Sequence, residues 1–365
     1  MFKGKTLVTA SALFLALAAG CDSKEDTAPA SEYDRAAMLT NYSNNLIVPG
    51  YTALNTETTQ LKAAIDAFVA APGEATLASA RAELQQAYTA WQMVSGYEFG
   101  PAEQQMLRTN LNIYPATTST IESNISAGSY DLESSANLSA KGFPALDYLL
   151  YSDASATAVI ARFVAQSNRG RYLQDVAANI NTRVGATTAG WQSYTATFQK
   201  SEGTAVGSAV GNLVNQLNSD IDMTKRAKVG IPSGRFTAGT AQPTKVEAYY
   251  SGLSLPLLKS SLQAEKAMFL GQNAAGANGL GLDDYLDHVG AKYNNEALSA
   301  AIAKKFDEAI AATDAVQGPL SQAVTTQPQA VGAVYQKLQE LIVLTKTDMP
   351  AALGVSITYT DNDGD

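Results

Sequence analysis

Histidine and cysteine are nearly missing: the 365-residue chain has one of each, His288 and Cys21. One histidine cannot supply the two or three imidazoles that catalytic zinc commonly takes, and no His-Glu-x-x-His occurs. One cysteine leaves no internal disulfide, even in an oxidising compartment. Charge is also scarce, at 16% of residues, with a net balance of −9. A phosphate backbone wants a basic surface, so no nucleic-acid partner is expected. No phosphate-cradling glycine-rich loop with a following lysine is present. β-branched residues rarely alternate with polar ones, which argues against sheet.

What remains is a chain nearly half apolar, long enough to bury a large core, and rich in alanine and leucine. Helical stripes recur. Leu54, Leu61, Ile65 and Phe68 form one, Leu77, Leu84, Tyr88 and Trp91 the next, and Pro72-Gly73 separates them. Such a pair reads as antiparallel. An interruption is expected at Pro49-Gly50, and a break near Gly185 and Gly190 in the long pattern over 154–191. The second half restarts with Val206, Val210, Leu213 and Leu217, a helix that Lys225-Arg226-Ala227-Lys228 closes with charge suited to its dipole. A helix over 245–270 opens on Glu247 and kinks at Pro256. Leu298/Ile302/Phe306 and Val331/Val334/Leu338 give a final pair, and 355–359 a short strand. The expected fold is all-α: two four-helix-bundle-like domains, 33–198 and 199–352, packed together, with a tail over 353–365. That tail ends Asp361-Asn-Asp-Gly-Asp365, like the first half of a calcium loop, and reads as solvated.

The N-terminus reads as a leader. Lys3 and Lys5 precede an apolar run over 7–19, too short to span a bilayer, and Leu17-Ala-Ala-Gly-Cys21 follows. That ending resembles the lipobox of bacterial lipoproteins, so 1–21 is read as a signal peptide, Cys21 as the lipidated residue, and 22–32 as a polar tether. The expected location is the cell envelope, anchored to a bacterial membrane through Cys21.

The stretch Lys141-Gly-Phe-Pro-Ala-Leu-Asp-Tyr-Leu-Leu-Tyr151 has a helical stripe with Pro144 in its first turn and Asp147 one turn on. It resembles the Gly-x-His-x-x-Glu signature of the imelysin-like proteins, the peptidase M75 group. Gly142 is kept, Pro144 stands at the histidine position, and Asp147 at the glutamate position. Other matching pieces fall in the same order along the chain. They are Trp91, Phe99-Gly100-Pro101, Tyr114-Pro115, Glu247 with Ser251, Ser254 and Leu255, and Leu353-Gly354-Val355. The resemblance implies two helical bundles with a site between them, on envelope proteins tied to bacterial iron uptake.

On that basis the candidate ligand or metal residues are Asp147, Glu98, Glu247, Ser251 and Ser254, with Gly142, Pro144, Trp91, Tyr97 and Tyr114 shaping the site. Oxygen donors suit iron, which is the one cofactor expected. Interaction with backbone N–H groups explains an aspartate near a helix start equally well. His288, among Asp283, Asp284 and Asp287, reads as a surface position. Without the signature histidine, an enzyme is not expected. The reading is a binding protein for iron, a chelate or a component of the transport system. Its rivals are an M75-type metallopeptidase and an interaction module without small ligand.

Overall fold

Leu54, Leu61, Ile65 and Phe68 lie on one face of the Val48–Ala70 helix, and Leu77, Leu84, Tyr88 and Trp91 on one face of Glu74–Val94. All eight are buried, and the two helices pack together. Ala71 leaves helical geometry at φ −143°, and the Gly73 N–H donates to Thr76 Oγ1 at 3.1 Å, so the chain reverses at Pro72-Gly73. The third partner is the 33-residue helix Ser167–Gln199, which buries Tyr172, Leu173, Val176, Ile180, Val184 and Trp191. The computed structural model describes residues 32–359. The leader, Cys21, most of the tether and the acidic ending lie outside them.

Two expected breaks do not occur, and at each one a glycine, Gly50 or Gly190, is a packing seat. The long helix runs through Gly185 and Gly190, where a Cβ at Gly190 would stand 2.8 Å from Pro101 Cβ. The chain likewise stays helical through Pro49-Gly50. A π-helical turn over Tyr42–Ile47 links Arg35–Asn41 to Val48–Ala70, and Pro49 falls in a first turn, where it is tolerated. The real break lies at Gln166, between Ala156–Ala165 and Ser167–Gln199.

The second run consists mainly of Ala209–Met223, Ser254–Phe269, Leu298–Asp314 and Pro328–Val343. Their core includes Leu258, Leu262, Ala309, Val334 and Leu338. The expected helix over 245–270 begins only at Ser254. Ahead of it the chain turns through Ala248 at φ 49° and Gly252 at φ 75°, so Glu247 belongs to a turn and not to a helix start. Pro256 is the helix's third residue, where its missing N–H costs nothing. Lys225 and Lys228 do not close a helix toward solvent; they lie buried in a π-helical stretch, Thr224–Gly230. Residues 355–358 form no strand. Asn215 holds them, accepting from the Thr358 N–H at 2.7 Å and donating to the Ser356 carbonyl at 3.0 Å. Among the described residues, sheet amounts to the hairpin Lys292–Tyr293 with Glu296–Ala297, turning on Asn294 and Asn295 at positive φ.

The protein is therefore all-α. The two runs of helices meet directly, Glu74–Val94 packing on Ser254–Phe269, and from Asp34 on the chain forms one compact unit.

Candidate functional site

The site is built on the Gly142–Tyr151 helix, which is buried from Gly142 to Leu150. Gly142 has φ +75°, and a Cβ there would stand 2.3 Å from the Leu111 carbonyl oxygen. The residue is glycine because backbone occupies the place of a side chain. Pro144 follows in the first turn, and Asp147 lies one turn further. Asp147 is 2% exposed. Its Oδ2 accepts the Tyr250 N–H at 2.9 Å and its Oδ1 the Ser251 N–H at 3.0 Å. The carboxylate does satisfy backbone N–H groups, but they belong to the turn before Ser254 and not to its own helix.

Asp147, Pro144, Tyr114, Tyr249 and Tyr250 line a cleft of about 210 Å³. Val246 and Ala248 also line it, while Glu247 between them is buried on the other side. Glu247 Oε2 pairs with Lys228 Nζ. Its Oε1 accepts from Asn112 Nδ2 at 2.8 Å and Gln92 Nε2 at 3.1 Å. Gln92 Oε1 in turn accepts from Lys228 Nζ at 2.8 Å and Ser261 Oγ at 2.7 Å, and Tyr88 OH donates to Asn112 Oδ1 at 2.6 Å. Ser254 Oγ donates to the Glu247 carbonyl. This is a fully satisfied polar wall behind the cleft, which is how a buried ion pair is made tolerable.

Glu98 lies elsewhere. Its Oε1 accepts the Arg108 N–H at 2.9 Å, and the Arg108 guanidinium reaches Asp220 Oδ1 and the Ser95 carbonyl, each at 2.5 Å. Trp91 belongs to this cluster, its ring centroid 6.0 Å from the guanidinium carbon. Tyr97 is buried beside a separate cavity. The structure thus brings Asp147, Pro144, Tyr114 and Ser251 together, with Glu247 and Ser254 behind them, and sets Glu98, Trp91 and Tyr97 apart. His288 is exposed at the end of the Leu282–His288 helix, in neither cluster.

The donor set does not fit a bare cation. Both Asp147 oxygens accept backbone N–H groups, Glu247 is committed to Lys228, and Glu98 faces Arg108. Among the described residues no group of three or more His, Cys, Asp or Glu could hold a metal ion.

Burial dominates the acidities. It raises Asp147 to about 6 against the Ser251 and Tyr250 bonds, with Glu247 adding to the rise. It likewise raises Glu98 to about 6 against the Arg108 charge. A carboxyl that is a weaker acid folded than unfolded binds more protons in the folded state between about pH 4 and 6. These two groups therefore favour the folded state most at low pH, and the benefit fades as pH rises through 6. Thermal melts should show a higher Tm at pH 5.5 than at pH 7.5, with a smaller difference in Asp147→Asn. An equal or opposite slope in the two proteins refutes the assignment.

Several of these residues escape a motif search: Gln92, Arg108, Asn112, Asp220 and Lys228, and with them Glu265, buried near Asp220 and accepting from Thr224. Some left a signal. Gln92, Asp220 and Glu265 each continue an apolar helical stripe, after Tyr88, Leu217 and Leu262, and a polar residue on such a stripe is buried with a partner or a purpose.

An all-helical protein with a tyrosine-lined cleft between two runs of helices is the class these observations define. A sequence model of imelysin, Peptidase M75, matches residues 47–346, and the chain belongs to that family. Among solved structures, the fold is similar to a putative iron-regulated protein A precursor from Parabacteroides distasonis. The TM-score is 0.74 at 18% identity, covering 90% of this chain and 97% of that one. It is also similar to an imelysin-like protein from Psychrobacter arcticum, with TM-score 0.68 at 17% identity, covering 89% and 97%. No curated protein matches the chain.

Proposed function

We propose that the protein is a lipid-anchored envelope component of bacterial iron acquisition that binds its ligand without cleaving anything, and that the ligand is iron carried in a compact chelate. The observation that carries this reading is the state of Asp147. Its two oxygens are spent on the Tyr250 and Ser251 amides at the floor of a cleft walled by three tyrosines. Hydrolysis of a peptide bond by a metal needs a firmly held cation with an open position and an activated water. A proline at the signature histidine position offers no side-chain donor. A chelate brings its own ligands to iron and asks of the protein only shape, ring faces and hydroxyls, which Tyr114, Tyr249 and Tyr250 supply. The fold's likeness to a putative iron-regulated protein and the family's tie to iron support the ligand class.

Calorimetry and thermal shift with ferric citrate, citrate alone and ferrous ion provide the test. Ferric citrate should stabilise the protein, ferrous ion alone should not, and Tyr114→Ala should lose the response. Stoichiometric binding of ferrous ion that Asp147→Asn abolishes would overturn the reading. Chelator-sensitive cleavage of a peptide substrate would restore the metallopeptidase, and silence toward all three probes would favour an interaction module.

A further inference from the structure

A second cavity plays no part in the site above. It is a groove of about 560 Å³ where Val48–Ala70, Glu74–Val94 and Ser254–Phe269 meet beneath the loop over 272–281, which carries Gly276, Gly279 and Gly281. The helices present small residues to it, Gly50, Ala53, Ala90, Ala264 and Ala267, so the space that leucines would fill stays open. Its lining is mostly apolar and includes no charged side chain.

Beneath the groove lies something different. Met93, Tyr97 and Ala264, which line the groove, also wall a small cell, too tight as it stands to hold a water, completed by Gly96, Met268, Asp220 and Glu265. Glu265 is 1% exposed. Its Oε1 accepts from Thr224 Oγ1 at 2.6 Å, and its Oε2 has no hydrogen-bond partner. Asp220 is committed to Arg108 at 2.5 Å and Ser95 at 3.1 Å, and Lys228 to Glu247. Burial and then the Asp220 charge push the Glu265 carboxyl well above the usual range, against Thr224, Lys228 and Arg108. An unpartnered buried oxygen is costly and calls for an explanation.

We propose that the groove binds a linear aliphatic ammonium, its chain lying along the small-residue walls and its head group reaching Oε2 of Glu265. The cell's unused capacity is a carboxyl oxygen beside a second carboxylate. An ammonium donates to an oxygen that now accepts nothing, whereas a carboxylate ligand has no donor to give it. Met93, unbranched and 38% exposed, is the side chain that swings aside to admit the head group. The ammonium's charge-assisted hydrogen bond then fills the vacancy at Oε2.

The experiment titrates the full chain with n-octylammonium, n-octanol and n-octanoate by calorimetry. Octylammonium should bind one per chain, at least about tenfold tighter than the alcohol or the carboxylate. Glu265→Gln substitutes a near-isosteric amide, so the fold is kept. It should weaken binding about tenfold or more. Ala267→Trp, which fills the groove, should abolish binding, while Asp147→Asn in the cleft should leave it unchanged. The proposal is overturned if octanol or octanoate binds as tightly, if octylammonium does not saturate, or if Glu265→Gln behaves as the wild type.

Discussion

Gly142→Ala should lower the unfolding free energy by about 3–5 kcal/mol, combining a left-handed backbone for a non-glycine residue with overpacking against backbone. The methyl carbon would sit 2.3 Å from the Leu111 carbonyl oxygen and 2.6 Å from its carbon, and neither can rotate away as a side chain could. Urea denaturation measures the loss directly. Gly239→Ala is the control. Its φ of +85° carries the same conformational penalty, but nothing lies within 4 Å of the added carbon. About 1–2 kcal/mol is expected there. Equal losses at the two positions would mean that the close approach of the signature helix to residues 110–111 is not real. Total stability of a domain is only about 5–15 kcal/mol, so the Gly142 variant should also melt far below the wild type.

Lys228→Met should cost about 3–5 kcal/mol, because it leaves the Glu247 carboxylate buried without a counter-charge. Gln92 and Asn112 still donate to that carboxylate, but they carry no charge. The double variant Lys228→Met/Glu247→Leu removes both ions and should recover most of the loss, giving a large coupling energy in a double-mutant cycle. A single variant as stable as the wild type at pH 7 would show that the pair is not formed.

Much of the architecture could be read in advance, because stripes such as Leu77/Leu84/Tyr88/Trp91 are long and end at clear punctuation. The failures were at glycine and proline. Gly190 and Gly50 look like breakers in one dimension, yet each supplies room for another segment, and room is a tertiary property that no local pattern carries. Ser254 rather than Glu247 opens its helix because the preceding turn is committed to Asp147, a contact 103 residues away in sequence for Tyr250. Three residues of the signature and its neighbours, Pro144, Asp147 and Tyr114, border one cleft. What the signature could not give was the direction of each carboxylate. Glu98 and Glu247 resemble Asp147 in composition and setting, but the cations that orient them, Arg108 and Lys228, come from segments with no motif of their own.

The two amides on Asp147 also join the halves of the molecule, since the aspartate comes from the first run of helices and Tyr250 and Ser251 from the second. The floor of the cleft therefore doubles as a rivet across the seam. A guest content with the tyrosine faces leaves the rivet in place and clamps the halves more tightly. One that competes for those amides loosens them. What the cleft holds and the freedom of the two halves to part are thus a single equilibrium.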